Sequence, residues 1–408
     1  MTHSTTVLVV GGGVTGVGVA RDLALRGVDV TLAEAGGLGG GTSGRSHGLL
    51  HSGARYAESD PEGAAECRAE STTVREIAGA CVRETRGLFV QLSSDSADYF
   101  ERKREACADV GIETEVVDGA TAREAVPDLA PETERAMWVD DAVVYPSRLV
   151  AATAADAADA GARIHTHSPV VDATVTDGRV ASVTVGGELD ETVEPSVVVN
   201  ATGAWAGDVA ETFGVSVGMA PAKGVMVSVD YDGPHPVLNR CREPDDGDIV
   251  VPHAGETVLG TTSVPVSDPD DYEREQWEVD RSVTECAAML PPVADADVVR
   301  TWWGVRPLYA PDEDGTDRRG ISRGFTLLDH TRDGVDNAVS VVGGKLTTHR
   351  QMAETTTDHV CDRLGVDEDC VTADRQLPGA DDPARLDEFV TRYDAHGETD
   401  SDVVAAAD

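Results

Sequence analysis

The hydrophobic pattern opens on Val7-Leu-Val-Val10, four apolar residues in a row, which predicts a strand buried on both faces. Glycines follow at once, and an apolar-rich run from Val14 to Arg26 predicts a helix that Gly27 stops. A second strand is predicted over Val28 to Ala33, closing on Glu34. From Ala35 to Tyr56 the pattern lapses into a glycine-rich stretch too long for an ordinary connection, and long ordered loops usually carry function. Beyond it, helices are predicted near Glu62 to Gly79, Asp95 to Val110 and Ser147 to Ala160, with a strand around Gly87 to Leu92. Strands Arg163 to Thr166, Val170 to Thr176 and Val180 to Val185 come next, the last two joined by the hairpin signal Asp177-Gly178. Ser196 to Asn200 repeats the opening logic: a buried strand, a small-residue turn at Ala201 to Gly203, then a helix.

From Met219 to Leu328 the pattern changes to short strands, Val225 to Val229, Ile249 to Pro252, Thr257 to Gly260 and Val298 to Val305, with one helix over Tyr272 to Leu290. That predicts an antiparallel sheet with a helix, inserted into the first domain. The first domain resumes with a strand at Ala338 to Val342, the turn Gly343-Gly344 and a helix from Lys345 to about Arg363. Residues 1–80, 145–218 and 336–366 are therefore expected to form a nucleotide-binding domain, and 81–144 with 219–335 a substrate-binding domain. Residues 367–408 read as a weakly ordered extension, because after Gly379 the sequence is acidic and poor in large apolar residues.

Composition changes the picture of the surface. With 74 Asp plus Glu against 33 Lys plus Arg, the net charge is −41, and the acids are scattered rather than blocked. Lysine occurs only at Lys103, Lys223 and Lys345. Such self-repulsion is tolerable where salt screens it, so the surface reads as one built for high salt. No basic patch exists to meet nucleic-acid phosphates. No apolar run reaches the roughly 18 residues a membrane span needs. A strand begins almost at the first residue, so no signal peptide is expected, which places the chain in the cytoplasm. The seven cysteines are widely spaced, with no C-x-x-C, and read as buried free thiols. His165 and His167 have no nearby partners, and no metal site is expected.

The chemistry gathers on the opening turn. Gly11, Gly13 and Gly16 fit G-x-G-x-x-G between a strand and a helix, where a pyrophosphate sits on unpaired N–H groups at the helix N-terminus. Glu34 stands where an acid holds a ribose hydroxyl, and it would repel a 2′-phosphate, so FAD or NAD fits and NADP does not. Thr42, Ser43, Arg45, Ser46, His47, His51, Arg55 and Tyr56 give the long loop a dense set of polar groups. Around NAD that loop and the Ala201 to Gly203 turn would have no task, which favours FAD.

Gly44-Arg-Ser-His-Gly-Leu-Leu-His-Ser-Gly-Ala-Arg-Tyr56, Asn239-Arg-Cys-Arg242 with Asp248-Ile-Val-Val-Pro252, Gly304-Val-Arg-Pro-Leu308, Ser322-Arg-Gly324 and Gly343-Gly-Lys-Leu-Thr-Thr348 resemble the FAD-dependent glycerol-3-phosphate dehydrogenases of the D-amino-acid-oxidase superfamily. The match is best to the A subunits of the anaerobic type, and runs from about Val7 to Pro378. The resemblance implies an α/β fold. A Rossmann-like FAD-binding domain of the glutathione-reductase/D-amino-acid-oxidase type would carry an inserted antiparallel-sheet α+β substrate domain. It implies oxidation of sn-glycerol 3-phosphate to dihydroxyacetone phosphate, with electrons passed to a quinone through partner subunits. The complex would be peripheral at the inner face of the cell membrane.

By the same resemblance Arg323 and Arg55, with Tyr56, would hold the phosphate, and Arg306 and Lys345 would lie near the flavin ring and the C2 hydroxyl. Arginine suits phosphate because it binds bidentately. FAD contacts are expected from Gly11, Gly13, Val14, Thr15, Gly16, Glu34, Ala35, Thr42, Ser43, Arg45, Ser46, His47, Gly48 and Leu49. Further contacts are expected from Val170, Ala201, Thr202, Gly203, Trp205, Arg306, Gly344, Lys345, Leu346 and Thr347. His51 is the first candidate for the base that takes the hydroxyl proton, with His47 as its competitor. Some aerobic relatives carry a histidine where this sequence has Met226. Anaerobic A subunits usually continue into a cysteine-containing domain, whereas this sequence ends at Asp408. Two other readings remain open: a related FAD-dependent dehydrogenase or oxidase of a 2-hydroxy acid or an amino acid, and a flavin-bearing subunit without turnover of its own.

Overall fold

The computed structural model describes residues 2–233, 236–310 and 324–404, the side chains of residues 402 and 404 excepted. Among them the run Val7 to Val10 ends the strand Thr2–Val10, which lies inside an eight-stranded sheet. The parallel part of this sheet runs, in spatial order, Arg163–His165, Val30–Ala33, Thr2–Val10, Glu191–Asn200 and Ala338–Gly343. Side chains alternate across a strand. Val7 and Val9 accordingly join one core, and Leu8 and Val10 join another on the opposite face. The first core is closed by helices Val14–Leu25, Pro146–Asp159 and His349–Leu364. The second is closed by the hairpin strand Arg179–Val185 and the short helix Ala206–Thr212. Four consecutive apolar residues are what a strand covered on both faces requires. The hairpin forms as its Asp-Gly signal predicts, with φ of +50° at Asp177 and +74° at Gly178.

The short strands of the middle region lie in a second sheet, of nine strands. Its pairings are antiparallel except for Val237–Arg240 beside Gly87–Leu92, which run parallel. Helix Gln276–Met289 packs on one face through Val279, Cys286 and Met289. Strands Glu115–Asp118, Thr133–Val139 and Val237–Arg240 were not legible in the pattern. Phe325–Asp329, expected in the inserted domain, pairs instead with Ala338–Gly343 at the edge of the first sheet.

Over residues 367–404 the extension is not weakly ordered. Helix Pro383–Arg392 buries Leu386, Phe389 and Val390 against the first core, and Arg148 holds Asp387 through two hydrogen bonds of 2.7 and 2.9 Å. Four large side chains at helical spacing, Leu386, Phe389, Val390 and Tyr393, are enough to dock it, although they barely register against so many acids.

All seven cysteines are free, and all but Cys370 are buried. Burial pushes the thiols of Cys81 and Cys286 up to about 12. Ellman's reagent is expected to find at most one thiol in the native protein, Cys370, and all seven after denaturation. Rapid native labelling of several would contradict the packing.

Candidate functional site

The glycine turn after Val10 is set by close backbone contacts. Gly11 has φ of +103°, and a Cβ there would lie 2.7 Å from Ala201 O. A Cβ on Gly16 would lie 1.9 Å from Gly11 O, so the helix can sit this close to the turn only with glycine at that place. At Gly13 a Cβ would meet nothing nearer than Ser43 Oγ at 3.3 Å, which leaves the helix N-terminus open in front. Gly13 is itself the N-cap of Val14–Leu25, and Ser43 Oγ accepts the N–H of Val14. Glu34 bends back over the turn, its carboxylate accepting the N–H groups of Gly12 and Gly36.

These pieces border a cavity of about 670 Å³. It lies beyond the carboxyl ends of the parallel strands, lined by Val10 and Gly11, Ala33 and Glu34, Ala201, and Val341 and Gly343. That is where open α/β sheets bind ligands. The structure brings Gly11, Gly13, Val14, Thr15, Glu34, Ala35, Thr42, Ser43, Arg45 and Ser46 to its wall. Val170, Ala201, Thr202, Gly203, Trp205, Gly344, Lys345 and Leu346 join them. It adds lining residues that the sequence reading did not name, among them Gly40, Gly41, Pro169, Asp270, Pro307 and Met352. Asp270 had no local signal; it accepts the indole N–H of Trp205 at 2.8 Å from a loop of the second sheet.

Other expected contacts lie behind the wall. Gly16 backs the turn. Gly48 has φ of +73° and sits against Val144 O. Leu49 is buried with Met226 and Trp302, so the position where aerobic relatives carry histidine is part of a hydrophobic core here. Thr347 accepts the N–H of His51 at 3.1 Å. Arg306 stands next to Pro307 of the lining, its guanidinium donating to Thr261 Oγ1 and Thr262 O at 3.2 and 2.9 Å. The loop is pinned to that same strand, since Thr42 Oγ1 donates to Val305 O at 2.7 Å.

A second group of side chains meets the cavity at Lys345. Its ammonium lies 4.7 Å from the Tyr56 ring centroid and 3.6 Å from Asp60. Tyr56 in turn reaches His51, with its hydroxyl 3.4 Å from Nε2 and the rings 5.1 Å apart. His47 is 6.0 Å from His51, ring to ring. Of the predicted site residues, His51, Tyr56 and Lys345 thus form one contact chain, whereas the Arg55 guanidinium lies 3.6 Å from Asp248. Arg323 lies outside the described residues.

Known proteins resemble the chain in sequence and in fold. The model of the family "FAD dependent oxidoreductase" matches residues 6–350. The chain belongs to that family. The A1 subunit of the anaerobic glycerol-3-phosphate dehydrogenase of Haloferax volcanii is 50% identical over 96% of this chain and 70% of its own length. The A subunit of the corresponding Escherichia coli enzyme is 41% identical over 94% of this chain and 72% of its own length. The resemblance read from the motifs holds at that level, and an acidic surface built for high salt fits the first of these relatives. In fold, the chain is similar to the FAD-complexed glycerol-3-phosphate dehydrogenase of Bacillus halodurans, with a TM-score of 0.71, 24% identity, and coverage of 98% of this chain and 77% of that one.

The cofactor is FAD. The cavity suits it: about 670 Å³ lies within the range of cofactor sites, and the glycine cradle faces it. Gly11, Gly13 and the N-terminus of Val14–Leu25 would hold the pyrophosphate, and Glu34 the ribose.

Proposed function

We propose that the chain oxidises sn-glycerol 3-phosphate at C2 to dihydroxyacetone phosphate, and that the electrons leave through partner subunits to a quinone. The observation that carries this reading is the cation Lys345 on the wall of the cofactor cavity, set against Tyr56, in a chain whose net charge is −41. A dianionic substrate is repelled by such a protein as a whole, so binding needs local cations. Lys345 supplies one against Tyr56, Arg55 immediately precedes Tyr56 in the chain, and the anaerobic relatives are named for this substrate.

Bound FAD supplies the acceptor for the hydride that leaves C2. His51 takes the proton of the C2 hydroxyl, with Tyr56 fixing its ring through Nε2. Lys345 and Arg306 stabilise the negative charge that develops on that oxygen. Arg55, Tyr56 and Arg323 hold the phosphate. Among the described residues no helix is long and apolar enough to cross a membrane. The chain is cytoplasmic on this reading, and it reaches the inner face of the membrane through its partners.

The deciding experiment is anaerobic: glycerol 3-phosphate added to the holoenzyme bleaches the flavin, while 2-hydroxy acids and amino acids leave it oxidised. Bleaching by a carboxylate substrate alone, or by none of them, overturns the reading. Arg323→Ala is expected to cost roughly 1.5–3 kcal/mol in substrate binding, as loss of a charge-assisted contact does. It should therefore raise KM far more than it lowers kcat. An unchanged KM with collapsed turnover would move Arg323 from the phosphate to the reacting centre.

A further inference from the structure

The three lysines of this chain are all turned inward, with side chains no more than 5% exposed. Each touches a residue of the proposed site. Lys345 lies against Tyr56, and the carbonyl of Lys223 accepts a hydrogen bond from Arg306 at 3.4 Å. Lys103 donates to the carbonyl of Arg55 at 3.1 Å. Lys103 comes from the helix Ala97–Asp109, and its side chain is 3% exposed. A buried ammonium is costly unless polar groups surround it. Here they are the Arg55 carbonyl, the Tyr99 ring at 5.4 Å and Glu58 at 3.9 Å. Burial still pulls the Lys103 ammonium below its ordinary value, with Glu58 opposing.

The other end of Arg55 meets a buried acid. Asp248 is 1% exposed and lies 3.6 Å from the Arg55 guanidinium. It is fixed from behind by Arg242 Nε at 2.9 Å and the N–H of Asp245 at 2.7 Å. Burial raises the Asp248 carboxyl, while Arg55 and Arg242 pull it down. The start of the segment is held similarly: Ser52 donates its N–H and hydroxyl to buried Asp141, both at 2.7 Å, and Asn239 donates to the same carboxylate at 3.2 Å. The stretch Asn239 to Asp248 thus braces the loop from the second sheet. Meanwhile the Arg55 side chain keeps 19% exposure.

We propose that Lys103 and Asp248 are positioning residues that clamp Arg55 at its two ends, carbonyl and guanidinium, and so pre-set the cation that grips the phosphate of the substrate. The inference rests on the reading of Arg55 as a phosphate ligand. Arginine has large rotamer freedom, and fixing it before binding removes an ordering cost at the moment of binding.

The test uses the holoenzyme of Lys103→Met and Asp248→Asn, each alone and each combined with Arg55→Ala. Two quantities are read: the Kd of inorganic phosphate from its perturbation of the flavin spectrum, and KM and kcat for glycerol 3-phosphate. Each single variant is expected to raise both Kd and KM about tenfold, with kcat changed less than about threefold. In the Arg55→Ala background neither substitution should raise Kd further, because the clamp then has nothing to hold. A phosphate Kd within about twofold of the parent in both single variants overturns the proposal. So does an equal rise with Arg55 already removed, and so does loss of flavin from both single variants, which would assign the pair to folding. If glycerol 3-phosphate fails to bleach the parent while the phosphate pattern holds, the clamp stands and the substrate reading falls.

Discussion

A chain ended at Ala395 is expected to lose its FAD on gel filtration and to rebind it about a hundredfold more weakly. The reason lies in what residues 397–400 touch. Thr399 donates its N–H and hydroxyl to Gly44 O at 3.1 and 3.0 Å, and its hydroxyl also reaches Ser46 O at 2.7 Å. Asp400 accepts both the N–H and the hydroxyl of Ser147, at 3.0 and 2.6 Å, and that hydroxyl accepts the N–H of Gly397. Gly397 packs so tightly on Gly44 that a Cβ on Gly44 would lie 3.0 Å from its Cα. The turn Ser43–Arg45, which borders the cofactor cavity, is therefore strapped from behind by the end of the chain. Freeing the backbone of its three residues costs about 1 kcal/mol each when FAD must order them again, which is the hundredfold. Helix Pro383–Arg392 stays in place, so the core is intact. The check is a flavin-to-protein ratio from absorbance and a titration of the stripped protein. Parent-like FAD affinity in the truncated chain would show that the strap is idle.

That strap marks where the sequence stopped being legible. The opening strand, turn and helix could be read because local chemistry decides them: buried strands need unbroken apolar runs, and the contact between Gly16 and Gly11 admits no side chain. The hairpin at Asp177-Gly178 is local in the same way. The end of the chain is held by tertiary partners instead, Ser147 and Gly44 far back in the sequence, and composition carries no trace of them. Its helix had readable signals all the same. Asp382 caps it, Pro383 opens it, and the apolar spacing is helical. The strands Glu115–Asp118 and Thr133–Val139 escaped because they alternate poorly and their charged residues face solvent or pair, as Arg135 does with Glu101.

The site divides along the same line. The cavity-lining residues on the first turn and the long loop were legible because phosphate and ribose binding would call for those residue types at that spacing. Pro307, Asp270 and Met352 were not, because they reach the cavity from the second sheet and from helix His349–Leu364 through the fold alone. Lys103 and Asp248 were visible only as a rare residue and part of a motif, and their joint contact with Arg55 exists only in three dimensions.

Salt should have the other large effect, and it acts on the whole molecule. With 74 acids against 33 Lys plus Arg, folding concentrates repulsion that the unfolded chain relaxes. Many arginines are already committed, Arg26 to Asp22 and Asp358, Arg242 to Asp248 and Glu285, and 33 cations cannot neutralise 74 acids. Raising KCl from about 0.1 to 1 M shortens the screening length from about 10 to 3 Å and removes most of this penalty. At roughly 1 °C per kcal/mol for a chain of this size, relief of several kcal/mol raises the melting temperature by about 5 °C. Short, partly buried contacts are screened much less, Asp248 with Arg55 among them. Affinity for glycerol 3-phosphate should therefore fall only modestly over the range in which the melting temperature climbs. Differential scanning calorimetry of the holoenzyme across KCl, with KM measured at the same points, separates the two. A melting temperature highest in dilute buffer would overturn the account of the surface and leave the active-site reading standing. A KM that rises in step with salt would instead mean that the phosphate-binding cations are as exposed as the rest of the charge.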